Sequence, residues 1–207
     1  MSFQKLDVLL AALAVTALFA GSIDDAAARE RTRTRSTSNI DGARQAHIHA
    51  AGSGARGSYS RGRNVGTDGQ GNASADRAGS ASGANGASAG YQSNAYRHAD
   101  GSAGRSGSAY AQTANGSTAS RSGQASRDGV GNASGSQGAS VQGANGGSAS
   151  TTAGFTRSAD GRYSASRDTN ATGANGNSYA GSTDLSNGQI SHTGTCTNAS
   201  GDVIACR

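Results

Sequence analysis

The chain has 207 residues, 33 of them Gly and none Pro, with a formal net charge of +5. Beyond residue 28 only ten Leu, Ile, Val and Phe residues remain, near 6 % of that stretch, against the roughly 20 % below which a chain no longer supplies an ordinary core. Ala, Ser and Gly offer little apolar area against an ordering cost of about 1.5 kcal/mol per residue. A globular enzyme built around a buried pocket is therefore not expected, and backbone-to-backbone pairing, as in silk-like stacks, is a route to order beside disorder.

In chain order, the first predicted element is an export signal over residues 1–28. Lys5 supplies the positive start, Leu9–Ala20 an apolar run, and Ala26, Ala27 and Ala28 a small-residue cleavage site. This is the three-part secretory pattern, with an apolar run too short to span a bilayer. Cleavage is expected after Ala28, with Ala20 as the second choice. The expected location is the periplasm, cell surface or medium.

Residues 29–66 read as an Arg-rich, low-complexity segment. Beyond the signal every basic residue is Arg, 17 in all against ten acidic residues. Arg29, Arg31, Arg33 and Arg35 alternate with Glu30, Thr32 and Thr34. In an extended chain they line one side at steps of about 6.6 Å. Guanidinium groups suit phosphate and sulfate, so these four are the candidate contacts to a polyanion such as lipopolysaccharide, teichoic acid or extracellular DNA. His47 and His49 flank Ile48, but two imidazoles make a poor metal site, and no metal ligand set is assigned.

Residues 67–190 form a Gly/Ser/Ala/Asn repeat array. Asn-Gly recurs at Asn85, Asn115, Asn145 and Asn175, and Asp-Gly at Asp68, Asp100, Asp128 and Asp160, giving alternating turns at a mean step near 15 residues. Both dipeptides favour the type I′ turn, with positive φ at both central residues. Residues 68–127 and 128–187 align without a gap and match at 24 of 60 positions. The segments between turns lack the 3.6-residue apolar period of a helix and are rich in Gly. The expected fold is an all-β repeat, an antiparallel meander or a solenoid of ~15-residue units, with substantial disorder; the alternative is a largely disordered chain. The tyrosines fall at unrelated positions of the 60-residue repeat, against a binding site in every repeat.

Residues 191–207 close the chain with its two cysteines, Cys196 and Cys206. Thr195–Asn198 and Val203–Cys206 read as short strands about a Ser200-Gly201-Asp202 turn. This places the cysteines opposite each other and predicts a cross-strand disulfide in an oxidising compartment. The ADG and ANG units, the leading signal and the closing CTNASGDVIAC hairpin resemble secreted bacterial repeat proteins built on GPNG-type turns, with GANG standing here at Gly83–Gly86, Gly143–Gly146 and Gly173–Gly176. The resemblance implies a cell-envelope or extracellular setting and supplies no activity.

No catalytic motif appears in the sequence, so neither an enzyme nor a cofactor nor a small-molecule substrate is expected. The Asp-Gly-x-Gly-Asn strings share residues with calcium-binding repeats, but turn geometry accounts for them. The expected function is a secreted or envelope structural and interaction protein acting through an extended surface, with possible self-association. A disordered polyanion binder using the Arg-rich segment is the alternative. A third expectation is recognition of ice or polysaccharide by a flat Thr/Ser/Asn face.

Overall fold

The computed structural model describes residues 28–206. Apart from Ala28, the predicted export signal lies outside the described residues. Among the described residues thirteen strands follow one another in a single open sheet: β1 (Ala28–Ile40), β2 (Ala43–Gly54), β3 (Gly57–Thr67), β4 (Ala73–Gly83), β5 (Ser88–Arg97), β6 (Ala103–Gln112), β7 (Thr118–Arg127), β8 (Ala133–Gln142), β9 (Ser148–Arg157), β10 (Tyr163–Thr172), β11 (Ser178–Ser186), β12 (Gln189–Thr197) and β13 (Val203–Ile204). Sequence order is spatial order, and all neighbours are antiparallel. The fold is the meander, not the solenoid. The Arg-rich residues 29–66 are its first three strands and run directly into the array.

The repeat has a simple mechanical origin. Positive-φ glycines stand at Gly71, Gly86, Gly101, Gly116, Gly131, Gly146, Gly161 and Gly176, one every 15 residues. Strands β5 to β10 are each 10 residues long, and a five-residue connection completes each unit. The turns are not the expected type I′ at these sites. In the Asn85 turn the Gly83 N–H donates to the Ala87 carbonyl at 2.8 Å, and the Gly86 N–H to the Gly83 carbonyl at 3.0 Å. That is a three-residue loop, a type I turn closed by a left-handed glycine. Asn85 keeps a negative φ, and its side-chain oxygen accepts the Ala87 N–H at 3.1 Å. The Ala before each Asn-Gly is itself a loop residue, which moves Asn to the second turn position. Among the described residues only Asp41-Gly42 and Asn187-Gly188 are two-residue turns with positive φ at both central residues.

At Asp68 and Asp128 the turn is displaced again. The Asp128 N–H donates to the Asn132 carbonyl at 2.9 Å. Its carboxylate accepts the N–H groups of Val130, Gly131 and Asn132 at 3.0, 2.8 and 2.9 Å. The left-handed residue is Gly131, the second glycine of Asp-Gly-x-Gly. Asn132 then reaches the next turn of the same rim, its side-chain oxygen accepting the Ala159 N–H at 2.8 Å. Asn72 does the same to Ala99 at 2.9 Å. The 60-residue super-repeat is thus the distance between two such turn-to-turn links.

A meander sends alternate turns to opposite rims. One rim holds the turns of Asp41, Asp68, Asp100, Asp128, Asp160 and Asn187. The other holds the Ala55-Arg56 turn and those of Asn85, Asn115, Asn145, Asn175 and Asn198. The sequence alternation of Asp-Gly and Asn-Gly is therefore a carboxylate rim facing an amide rim, about 33 Å apart for ten-residue strands.

The sheet has almost no core. Among the described residues the one buried hydrophobic side chain is Ala50, 5 % exposed. Instead, aromatic rings lie over glycines of the neighbouring strand. Tyr59 stands opposite Gly52, Tyr91 opposite Gly79, Tyr110 opposite Gly90, Tyr96 opposite Gly104 and Phe155 opposite Gly135. A methyl group built on Gly79 meets the Tyr91 ring at 2.6 Å, and one on Gly135 meets Phe155 at 2.5 Å. Each ring covers the backbone that its glycine partner leaves bare, a known device for glycines in sheets. Four of the six tyrosines, at positions that look unrelated along the repeat, are thus ordered across it.

The C-terminal disulfide joins Cys196 to Cys206, with Cα atoms 5.4 Å apart. The second strand is shorter than expected and the first longer: β12 is Gln189–Thr197, β13 is Val203–Ile204, and Ile204, not Cys206, stands opposite Cys196. The Asn198–Asp202 turn is centred on Ser200, one residue earlier than a directly opposed 196–206 pair requires, so the bond is diagonal. The Asn198 side-chain oxygen accepts the N–H groups of Ser200 and Asp202 at 3.0 and 2.9 Å.

Candidate functional site: two unlike faces

Residues directly opposite in an antiparallel ladder share a face, and alternate residues along a strand point to opposite faces. Following the register across the sheet sorts every paired side chain. Each arginine in the paired ladder falls on one face: Arg31, Arg33 and Arg35 from β1, Arg44 from β2, Arg61 and Arg63 from β3, and the single or paired arginines of β4, β5, β6, β7, β9 and β10. Between them lie alanines, as in the row Ala81, Ala89, Ala111 and Ala119. The acidic residues paired in strands, Glu30, Asp76, Asp168 and Asp184, are all on the other face. Most strand Ser and Thr residues are there too, several bonded directly across: Ser58 to Ser82 at 2.9 Å, Ser120 to Ser140 at 2.8 Å and Thr156 to Ser164 at 2.8 Å.

The arginine face is densest in its first four strands. Arg33 and Arg61 stand on either side of Ala50, the buried residue, and Arg35 and Arg63 on either side of Ile48. Arg63 is directly opposite Arg77. Like charges so placed repel and weaken the pair, and none of these five arginines has an ion-pair partner among the described residues. Further along, the 30-residue period puts Arg97, Arg127 and Arg157 in one row on alternate strands, with Ala103 and Ala133 between them. Their spacing is two strand widths, about 9.6 Å.

Of the four arginines singled out in the sequence, the structure places Arg31, Arg33 and Arg35 side by side on this face; Arg29 is in β1, and its side chain lies outside the described residues. Sequence reasoning missed the partners from β3 and β4, which only the register aligns with them. His47 and His49 do share a face, the hydroxyl one, where the His47 ring bonds the Asn64 side chain. Among the described residues no cluster of His, Cys, Asp or Glu forms a metal-holding group.

The hydroxyl face is concave. Its centre is a trough of about 940 Å³ running from Asn64 in β3 to Asp168 in β10, across the strands. A second hollow of about 780 Å³ continues beside it and is lined by Tyr96 and Asp184. On the rim, the carboxyls of Asp68, Asp100 and Asp128 are held below the usual carboxylate range. The leading cause is the side-chain hydrogen bond from Asn72, Ser102 and Asn132 respectively, with backbone N–H donors adding to it.

Compared with protein-family models, with curated proteins and with solved structures, the chain matches none.

Proposed function

We propose that the protein is an exported structural sheet that works by surface contact, laying its arginine face on an anionic polymer of the envelope or its surroundings. The observation that carries this reading is the segregation of charge: the paired arginines on one face, the paired carboxylates on the other. A chain whose charges served only solubility has no reason to sort them by strand register. The Arg63–Arg77 opposition costs stability in the free sheet, and a bridging phosphate or sulfate offsets that cost. The disulfide supports an oxidising compartment. In this reading the Arg-rich β1 is the margin of a larger cationic plane, and the ordered sheet itself is the binding element.

The test is affinity for duplex DNA and for heparin at low and moderate salt, for the chain and for a variant with Arg33, Arg61, Arg63 and Arg77 changed to Ser. Neutralised phosphates release counterions, so log affinity falls with log salt by about 0.9 per contact on DNA. The variant is expected to bind at least tenfold more weakly at low salt and with a shallower salt slope. Binding indifferent to salt, or unchanged in the variant, overturns the proposal.

A further inference from the structure

The face turned away from the arginines carries a second site, for which the arginine face offers no use. We infer that the central trough of the hydroxyl face binds a linear, uncharged polysaccharide lying across the strands. Its floor is two adjacent rows of the ladder. One row runs Asn64, Asp76, Asn94, Ser106, Gln124 and Ser136 on six successive strands, continuing past Gly154 to Ser166 and Asp184. The other includes Gln92, Ser108, Ser122, Thr152 and Asp168. The first row thus presents a hydroxyl, amide or carboxylate at nearly every strand width, about 4.8 Å.

Three features choose the ligand. The rows are perpendicular to the strands, so the ligand is a rod, and the trough spans eight strands, about 34 Å. A β-1,4-linked glycan fits such a rod, because each sugar advances by about one strand width and offers its hydroxyls at that step. The paired ladder on this face has carboxylates and no arginine, which disfavours a polyanion and leaves a neutral polyol. Finally, two aromatic rings belong to this face, Tyr96 at 39 % and Tyr110 at 55 % exposure. They stand on opposite sides of the two floor rows, on β5 and β6. Exposed rings present the apolar plane on which a pyranose stacks, while the floor groups bond its edges. The concavity also separates this site from an ice-binding plane, which must be flat.

The experiment uses the oxidised chain and titrates it by calorimetry with the hexasaccharide of β-1,4-linked N-acetylglucosamine, with cellohexaose and with an oligouronate of equal length. Saturable binding of a neutral hexasaccharide, little changed by salt, is expected, with the oligouronate at least tenfold weaker. The double change Ser106→Val and Gln124→Val is expected to reduce neutral-sugar affinity at least tenfold with the β spectrum retained. If that pair unfolds the sheet, Ser108→Val with Ser122→Val in the neighbouring row is read instead. The arginine variant read here changes Arg33, Arg61 and Arg63 to Ser and leaves Arg77, which borders the trough; it is expected to keep sugar affinity, so failure of one face is distinguishable from failure of the other. No binding of either neutral sugar by the folded chain, a preference for the oligouronate, or equal loss in the arginine variant overturns the inference.

Discussion

The rims and the faces of this sheet are written by different rules. At the rims the same few residues return at a fixed step: a left-handed glycine every 15 residues from Gly71 to Gly176, with an Asn or Asp one or three residues before it, and the side chains of Asn85, Asp100, Asp128 and Asn175 bond their own turn's backbone. On the faces only the chemical class returns. The row that holds Ala111 and Ala119 holds Val141 and Tyr179 further on, and a glycine is accepted where an aromatic ring lies across it. The rims therefore fix where each strand starts and stops, while the faces are free to take a binding chemistry. With almost no core to enforce register, turn geometry and cross-strand pairs must do so.

The largest expected effect comes from breaking a rim. Gly116 has φ +87° and nothing within 4 Å of an added methyl group, so any cost of substitution there is conformational. Gly116→Val is expected to destabilise the sheet by about 1–3 kcal/mol, the range for a side chain forced into a left-handed backbone. Gly138 lies in mid-strand β8 with extended backbone, and an added methyl group meets only ordinary contacts at 3.7 and 3.9 Å. Gly138→Val is expected to stabilise by about 0.5–1 kcal/mol, because a β-branched residue replaces the most flexible one. Opposite signs in urea melts followed by circular dichroism bear out the comparison; equal losses refute it.

A smaller effect is expected on a face, and it depends on the partner. Tyr91→Ala uncovers Gly79 and is expected to cost about 1 kcal/mol or less, the scale of one cross-strand pair. Gly79→Ala alone is expected to destabilise, since its methyl group meets the Tyr91 ring at 2.6 Å. With Ala already at 91 the same substitution is expected to stabilise. A double-mutant cycle measures that coupling, and additive single effects show that the ring does not rest on the glycine.

The same contrast explains what could be read from the sequence. The turn dipeptides, the all-β repeat and the cysteine pairing were legible because each depends on residues close together in the chain, whereas meander and solenoid were separated only by the strand order. The alternation of Arg31, Arg33 and Arg35 likewise exposed one edge of the arginine face. Its extent was hidden, since Arg63 meets Arg77 only once the register is known. Register was obscured by the Asp-Gly marks at Asp68 and Asp128, which sit three residues before the glycines that turn the chain, Gly71 and Gly131. Counted on Asp-Gly the steps are uneven, and counted on the turn-closing glycines from Gly71 to Gly176 they are constant. The pairing of Tyr91 with Gly79 or of Phe155 with Gly135 left no local trace, because the two partners lie in different strands.

The smallest expected effect distinguishes one rim from the other. Asp68, Asp100 and Asp128 have depressed pKa values because Asn72, Ser102 and Asn132 side chains, and turn N–H groups, bond their ionised carboxylates. A group whose folded pKa lies below its unfolded value adds stability above the unfolded pKa, and that stability is lost as pH falls through the folded value. The carboxylate rim is therefore expected to loosen in acid, below the ordinary aspartate range near pH 3.9. The amide rim has no titrating group in the turns of Asn85, Asn115, Asn145 and Asn175. Amide hydrogen exchange, corrected for its intrinsic pH dependence, reads each turn separately. Protection of the Val130, Gly131 and Asn132 amides is expected to fall between pH 5 and pH 2, and that of the Ala87 and Asn177 amides, bonded to asparagine oxygens, to stay level. Asp128→Asn is expected to flatten the response of its own turn and leave that of Asp68 intact, because the two turns bond separately. A parallel loss at both rims would locate the acid sensitivity in the sheet as a whole.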